Sequence, residues 1–105
     1  MTPDPLDALG ALIRSRKGAD PASSYTAKLF SDGRAKIAQK VGEEATETVI
    51  AAMGSSDRAL TSEAADLIYH LLVLLADAGL TLDDVRAELS RRTGVSGHEE
   101  KAARS

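Results

Sequence analysis

Glu44 and Glu47 in the run GEEATE, and Glu63 and Asp66 in EAAD, form two i, i+3 acid pairs, with Glu43 adjoining the first. Three residues is close to one helical turn, so each pair projects from one side of its helix. If the two helices pack antiparallel, four carboxylates converge on a small volume. Such a group repels itself unless positive charge sits among the oxygens, and a hard divalent cation such as Mg²⁺ meets that need. A metal site is the leading reading.

The flanking residues sharpen the question. At ~100° per residue, Lys36, Lys40, Glu43 and Glu47 fall within a wedge of roughly 60°, with Glu44 just beside it. Ile37, Val41, Ala45, Thr48 and Ala52 form the neighbouring apolar face, which Glu44 borders. A solvated stripe of helix-stabilising charge pairs is the plain alternative for this wedge. The second helix argues against plain solvation. Ala64, Leu67, Ile68, Leu71, Leu72, Leu74 and Leu75 cover nearly its whole circumference, yet Glu63, Asp66, His70 and Asp77 share one wedge. Ionised carboxylates on a mostly buried helix are costly unless paired or coordinated. Salt bridges to Lys36, Lys40 or an Arg would satisfy them, and so would a metal ion; spacing alone leaves both open. His70, one turn after Asp66, reads as a hydrogen-bonded core residue or as a group holding a carboxylate in place. Tyr69 reads as packing, and His98 carries no signal.

The elements that must position these acids are helical throughout. Pro5 after Asp4 suits a helix start, and Leu6, Leu9, Leu12 and Ile13 recur at helical spacing toward an end near Gly18. ADPASSY, residues 19–25, reads as a loop. A short helical turn from Thr26 to Phe30 leads to a turn at Ser31–Gly33. A long helix then runs from Arg34 to about Met53 and stops at Gly54-Ser55-Ser56. Ser56 or Asp57 caps the next, which continues to about Ala78 and closes at Gly79. Thr81 caps a last helix, with Asp83 and Asp84 in its first turn, ending at Thr93-Gly94. The expected fold is all-α: a helical bundle with two long central antiparallel helices. It occupies residues 1–94 as one domain, followed by a polar tail over 95–105.

Bulk composition narrows the classes of partner. The chain has 105 residues, three aromatics (Tyr25, Phe30, Tyr69), no Trp and no Cys. Its core must therefore be aliphatic, and a helical hairpin of this make-up buries little surface alone, so homodimerisation is expected to complete it. A formal charge of −3 argues against a nucleic-acid partner, which needs a basic face. The start, MTPDPLDALG, lacks a basic stretch followed by an apolar one. The most apolar run, Leu67 to Ala76, is interrupted by His70 and too short to span a bilayer. The expectation is a soluble, cytoplasmic protein with no membrane partner.

SYTAKLFSDGRAKIAQKVGEEATETVIAA followed by EAADLIYHLLVLLADAGLTLDDVRAEL closely resembles the phosphoribosyl-ATP pyrophosphatase family, over about residues 6 to 92. The two acid pairs alone are similar to those of the wider all-α (MazG-like) nucleoside-triphosphate pyrophosphatases, so they speak to chemistry; SYTAKLF and KIAQKVGEEA speak to the substrate. The resemblance implies an enzyme of the second step of histidine biosynthesis, which hydrolyses phosphoribosyl-ATP between the α and β phosphates. It implies Mg²⁺ held by Glu44, Glu47, Glu63 and Asp66, with Glu43 the free acid to orient or deprotonate the attacking water. Lys36 and Lys40 are then placed to contact phosphate oxygens. Lys28 and Arg34 become candidates for the substrate's second phosphate, and Ser24, Tyr25 and Thr26 for closing over the nucleotide. The rival readings are a pyrophosphatase of canonical or damaged nucleoside triphosphates and a non-catalytic dimerisation module.

Overall fold

The computed structural model describes residues 4–93, and among these residues there are five helices and no strand. They are α1 (Pro5–Ser15), α2 (Tyr25–Asp32), α3 (Arg34–Ala52), α4 (Asp57–Asp77) and α5 (Leu82–Arg92). The all-α expectation holds. The expected tail over 95–105 lies outside the described residues.

Local chemistry sets most of the boundaries. Asp4 caps α1 by accepting from the Leu6 N–H at 2.9 Å, with Pro5 in the first turn where no N–H is needed. Ser24 does the same for α2 through the Ala27 N–H at 3.1 Å, and Ser56 for α4 through the Ala59 N–H at 3.1 Å. For α5, the Thr81 N–H donates to Asp84 Oδ2 at 2.8 Å, the return half of a capping box.

Two boundaries differ from the sequence reading. Helix α1 ends at Ser15, and Gly18 lies beyond it with φ +84°, serving the loop rather than the helix end. Helix α2 includes Ser31 and Asp32, which had read as part of a turn. The whole change of direction falls on Gly33, whose φ of +99° other residues rarely adopt.

α3 and α4 form an antiparallel hairpin, the most extensive pairing in the fold, and α1 and α2 pack against it. The core is aliphatic: Ile13, Leu29, Ile37, Leu72, Val73 and Ala76 are buried together. Ile37 lies near the start of α3, and Leu72–Ala76 near the end of α4. The core therefore occupies the end of the hairpin that α1 and α2 cover. Arg34 ties that end shut, its guanidinium donating to Asp77 Oδ2 at 2.8 Å and to the Asp77 carbonyl at 3.2 Å.

The other end of the hairpin has no such cover. Val49, Ile50 and Met53 are 64%, 67% and 83% exposed there, and Ile68 and Leu71, farther along α4 toward the core, are partly exposed as well. As a whole, α4 is long and apolar enough to cross a membrane by length and composition, beyond the shorter run judged from sequence. Acids and a histidine interrupt it where the candidate site forms.

Candidate metal centre

Glu44 lies mid-way along α3, and Glu63 and Asp66 lie in the first half of α4. Antiparallel pairing brings these positions level, and one carboxylate oxygen from each of the three lies within 4.8 Å of the others. The two helices thus bring three of the four acids together. Glu47, one turn along α3, adds its carboxylate beside those of Glu44 and Glu63.

Two atoms show what the group lacks. Oε2 of Glu44 and Oε2 of Glu63 are buried and have no hydrogen-bond partner. A buried carboxylate oxygen without a donor is costly. Burial raises the Glu44 carboxyl above its ordinary range, Glu47 and Asp66 raise it further, and His70 partly offsets them. Glu63 is raised by the same causes in the same order: burial, then Glu47, then Asp66. No lysine or arginine pairs with these oxygens among the described residues, so the salt-bridge alternative finds no support. All-oxygen donors, excess negative charge and unsatisfied buried oxygens suit a hard divalent cation such as Mg²⁺.

Glu43 stands apart from this group. It accepts from Gln39 Nε2 at 2.9 Å and pairs with Lys40 Nζ at 3.5 Å. The Gln39 hydrogen bond, then Lys40 and Lys36, hold its carboxyl below the ordinary range. Glu43 is still one turn from Glu47, at the seam between the acids and the lysines.

The basic candidates divide into two sets. Lys36 and Lys40 run along α3 toward Glu44, both half-buried. Arg34 and Lys28 stand farther off, paired with Asp77 and, at 3.0 Å, with Asp32. Arg34 is ten residues from Glu44, about 15 Å along the helix.

The nucleotide-closing candidates are tied to α4. The His70 Nδ1–H donates to the Asp66 carbonyl at 2.8 Å; in the neutral ring Nε2 is then an acceptor, which the Tyr25 hydroxyl meets at 3.1 Å. Thr26 Oγ1 is hydrogen-bonded to the Tyr69 hydroxyl. Ser24 is committed to capping α2. His70 is buried, as its hydrogen-bonded reading required. Tyr69 packs against the core, as expected, and in addition anchors Thr26.

Sequence reasoning missed the Tyr25–His70 and Thr26–Tyr69 links. Their partners are more than forty residues apart, and only the hairpin's packing against α2 joins them.

Comparison with known proteins points the same way as the geometry. Residues 6–93 match the family described as phosphoribosyl-ATP pyrophosphohydrolase. The chain is 60% identical to the phosphoribosyl-ATP pyrophosphatase of Rhodospirillum rubrum over 102 residues, which cover 97% of this chain and 87% of that one. It is 61% identical to the Rhizorhabdus wittichii protein of that name over 99 residues, covering 94% and 93%. It is 56% identical to that of Zymomonas mobilis over 104 residues, covering 99% and 97%. The chain belongs to the phosphoribosyl-ATP pyrophosphohydrolase family.

Proposed function

We propose that this protein hydrolyses 1-(5-phosphoribosyl)-ATP to 1-(5-phosphoribosyl)-AMP and pyrophosphate, the second step of histidine biosynthesis, as a soluble cytoplasmic homodimer. The observation that carries the reading is the convergence of Glu44, Glu63 and Asp66, with two buried oxygens unsatisfied, in a chain that the family matches almost end to end.

Glu44, Glu47, Glu63 and Asp66 would hold Mg²⁺. When bound, the ion neutralises phosphate charge and lowers the pKa of a coordinated water. The protein's own residues do the rest. Glu44 and Glu63, whose carboxyls are raised by burial and by Glu47, gain most from the cation's positive charge. Lys36 and Lys40 extend positive charge from the acids along α3 and receive the polyphosphate oxygens as point charges.

Glu43, kept ionised beside Lys40, orients the attacking water by accepting its hydrogen bond. A carboxylate with a lowered pKa is better suited to that than to removing the proton. Hydrolysis breaks the bridging bond between the α and β phosphates, water supplies the new oxygen, and pyrophosphate leaves. Lys28 and Arg34 exchange Asp32 and Asp77 for the substrate's second phosphate. Exposed ion pairs of this kind are worth about 0–1 kcal/mol, so the exchange is cheap.

Homodimerisation covers the open end of the hairpin. Only seven hydrophobic side chains are buried among the described residues, while Val49, Ile50 and Met53 stay exposed. A second copy is the occupant that the expected helical bundle supplies.

The substrate assignment is tested by pyrophosphate release with Mg²⁺ from 1-(5-phosphoribosyl)-ATP, ATP and the dNTPs in parallel. Strong preference for the first is expected. Comparable turnover of dNTPs would move the protein to general nucleotide clean-up, and no release from any nucleotide would leave a non-catalytic module.

A further inference from the structure

Of the chain's three aromatic residues, Phe30 lies at the core end with Lys17 Nζ 5.9 Å from its ring centre, and Tyr69 packs against the core. Only Tyr25 is exposed, at 52%. An exposed tyrosine is usually free to rotate, but this one is held at two places. Tyr69 lies beside it, ring centres 6.4 Å apart and planes within 20°, and His70 stands nearly perpendicular to it, centres 6.0 Å apart at 78°. The hydroxyl is fixed on His70 Nε2 at 3.1 Å. With its hydroxyl anchored on His70 and half of the residue exposed, the ring offers a flat aromatic surface to solvent.

The anchored hydroxyl places the ring beside the acid-bearing stretch of α4. His70 bonds the Asp66 carbonyl at 2.8 Å, so two hydrogen bonds and one imidazole separate the Tyr25 hydroxyl from the backbone of a proposed ligand. An adenine whose α-phosphate sits at the acids is one ribose away from that phosphate. Base stacking on an aromatic ring needs only a flat, open face, and a ring already fixed loses little freedom on binding.

We propose that the open face of Tyr25 is the stacking platform for the adenine of the substrate, and that His70 is a positioning residue that holds this ring through its hydroxyl. This rests on the nucleotide reading above. His70 is suited to the role because its Nδ1–H is committed to a backbone carbonyl, which leaves Nε2 to accept from Tyr25. Thr26, bonded to Tyr69, ties the same turn of α2 to α4 and limits its drift.

The experiment reads tyrosine emission. The chain has two tyrosines and no Trp, so a Tyr69→Phe protein emits from Tyr25 alone. α,β-Methylene-ATP with Mg²⁺ should quench that emission. Tripolyphosphate, which has the charge without the base, should compete with substrate without quenching. In turnover of 1-(5-phosphoribosyl)-ATP, Tyr25→Ala should raise KM about tenfold or more, with a smaller change in kcat. His70→Leu should raise KM severalfold, and His70→Gln, whose side-chain oxygen can accept from Tyr25, should restore it. The His70→Leu effect should vanish in a Tyr25→Phe background, which a merely structural role would not produce.

A methylene-ATP that competes with substrate yet leaves Tyr25 emission unchanged overturns the platform, as does an unchanged KM in Tyr25→Ala. Quenching that follows protein concentration rather than nucleotide assigns the ring to a subunit contact and overturns it too. A His70→Leu effect that persists in the Tyr25→Phe background removes His70 from the role. Wild-type protein that releases no pyrophosphate from 1-(5-phosphoribosyl)-ATP defeats the parent reading instead, and the emission titration still judges the platform.

Discussion

Glu44 on α3 and Glu63 on α4 bring carboxylate oxygens within 4.8 Å of each other, and each keeps a buried Oε2 with no hydrogen-bond partner. Without a cation, this contact opposes folding once both groups ionise. Both carboxyls are raised, first by burial and then by Glu47. A carboxyl raised in the folded state contributes stability that is complete below its unfolded pKa and lost as pH rises through the folded one. Glu43 and Glu88, lowered by their hydrogen bonds to Gln39 and Arg91, act in the opposite direction, so the informative quantity is a difference between variants. In EDTA at neutral pH, Glu63→Gln should unfold a few degrees above wild type. The gap should close as pH falls through the carboxylate range. Added Mg²⁺ should reverse the order, because only wild type keeps the full ligand set. Thermal unfolding by circular dichroism across pH checks all three.

The helices and the acid group were largely legible in the sequence because both rest on short-range rules. Asp4, Ser24, Ser56 and Thr81 mark helix starts through side-chain chemistry a few residues long, and the i, i+3 acids needed only antiparallel pairing to converge. What could not be read is where long side chains go once two acceptors compete. Arg34 was expected at a phosphate and here donates to Asp77, forty-three residues away. Glu43 was grouped with the acids by proximity in sequence, but Gln39 and Lys40, one turn back on its own helix, hold it at the rim. Tyr25 and Thr26 are candidates for closing over a nucleotide on their sequence, and their anchors on α4 depend on how α2 packs. Such choices turn on packing geometry, which periodicity does not contain.

Removing a ligand charge while keeping shape should separate chemistry from folding. Glu47→Gln and Asp66→Asn should each lower kcat by about 10²–10³-fold or more, with helical content unchanged. Pyrophosphate release alongside circular dichroism makes the comparison. Near-normal Mg²⁺-dependent turnover in both variants would remove these residues from the metal assignment.

Glu43 and Lys40 should respond differently. Lys40→Gln should raise KM about tenfold and flatten the dependence of KM on ionic strength, since an exposed phosphate contact is screened by salt. Glu43→Gln should lower kcat by about 10²-fold, the lower end for a group that assists a reacting water, while KM changes little. Steady-state kinetics at several salt concentrations resolves the two. If Glu43→Gln alters KM alone, the residue serves only to place Lys40.

The exposed end of the hairpin should report on assembly. Burying a side chain the size of Val49, Ile50 or Met53 stabilises by about 1.5–3 kcal/mol. Ile50→Lys with Met53→Lys should therefore yield a monomer by light scattering, with a lower Tm that no longer depends on protein concentration. Met53→Leu should change neither. A wild-type protein that is monomeric at micromolar concentration would show that this face has another purpose.

The most direct test of the carboxylate group is a Mg²⁺ titration of pyrophosphate release from 1-(5-phosphoribosyl)-ATP, comparing wild type with Glu44→Gln and Glu63→Gln. Wild type should be inactive in EDTA and gain activity saturably with Mg²⁺. Each variant should stay folded and remain at least 10²-fold less active at every Mg²⁺ concentration. Full activity in EDTA, or variants that match wild type once Mg²⁺ is raised, would contradict the account.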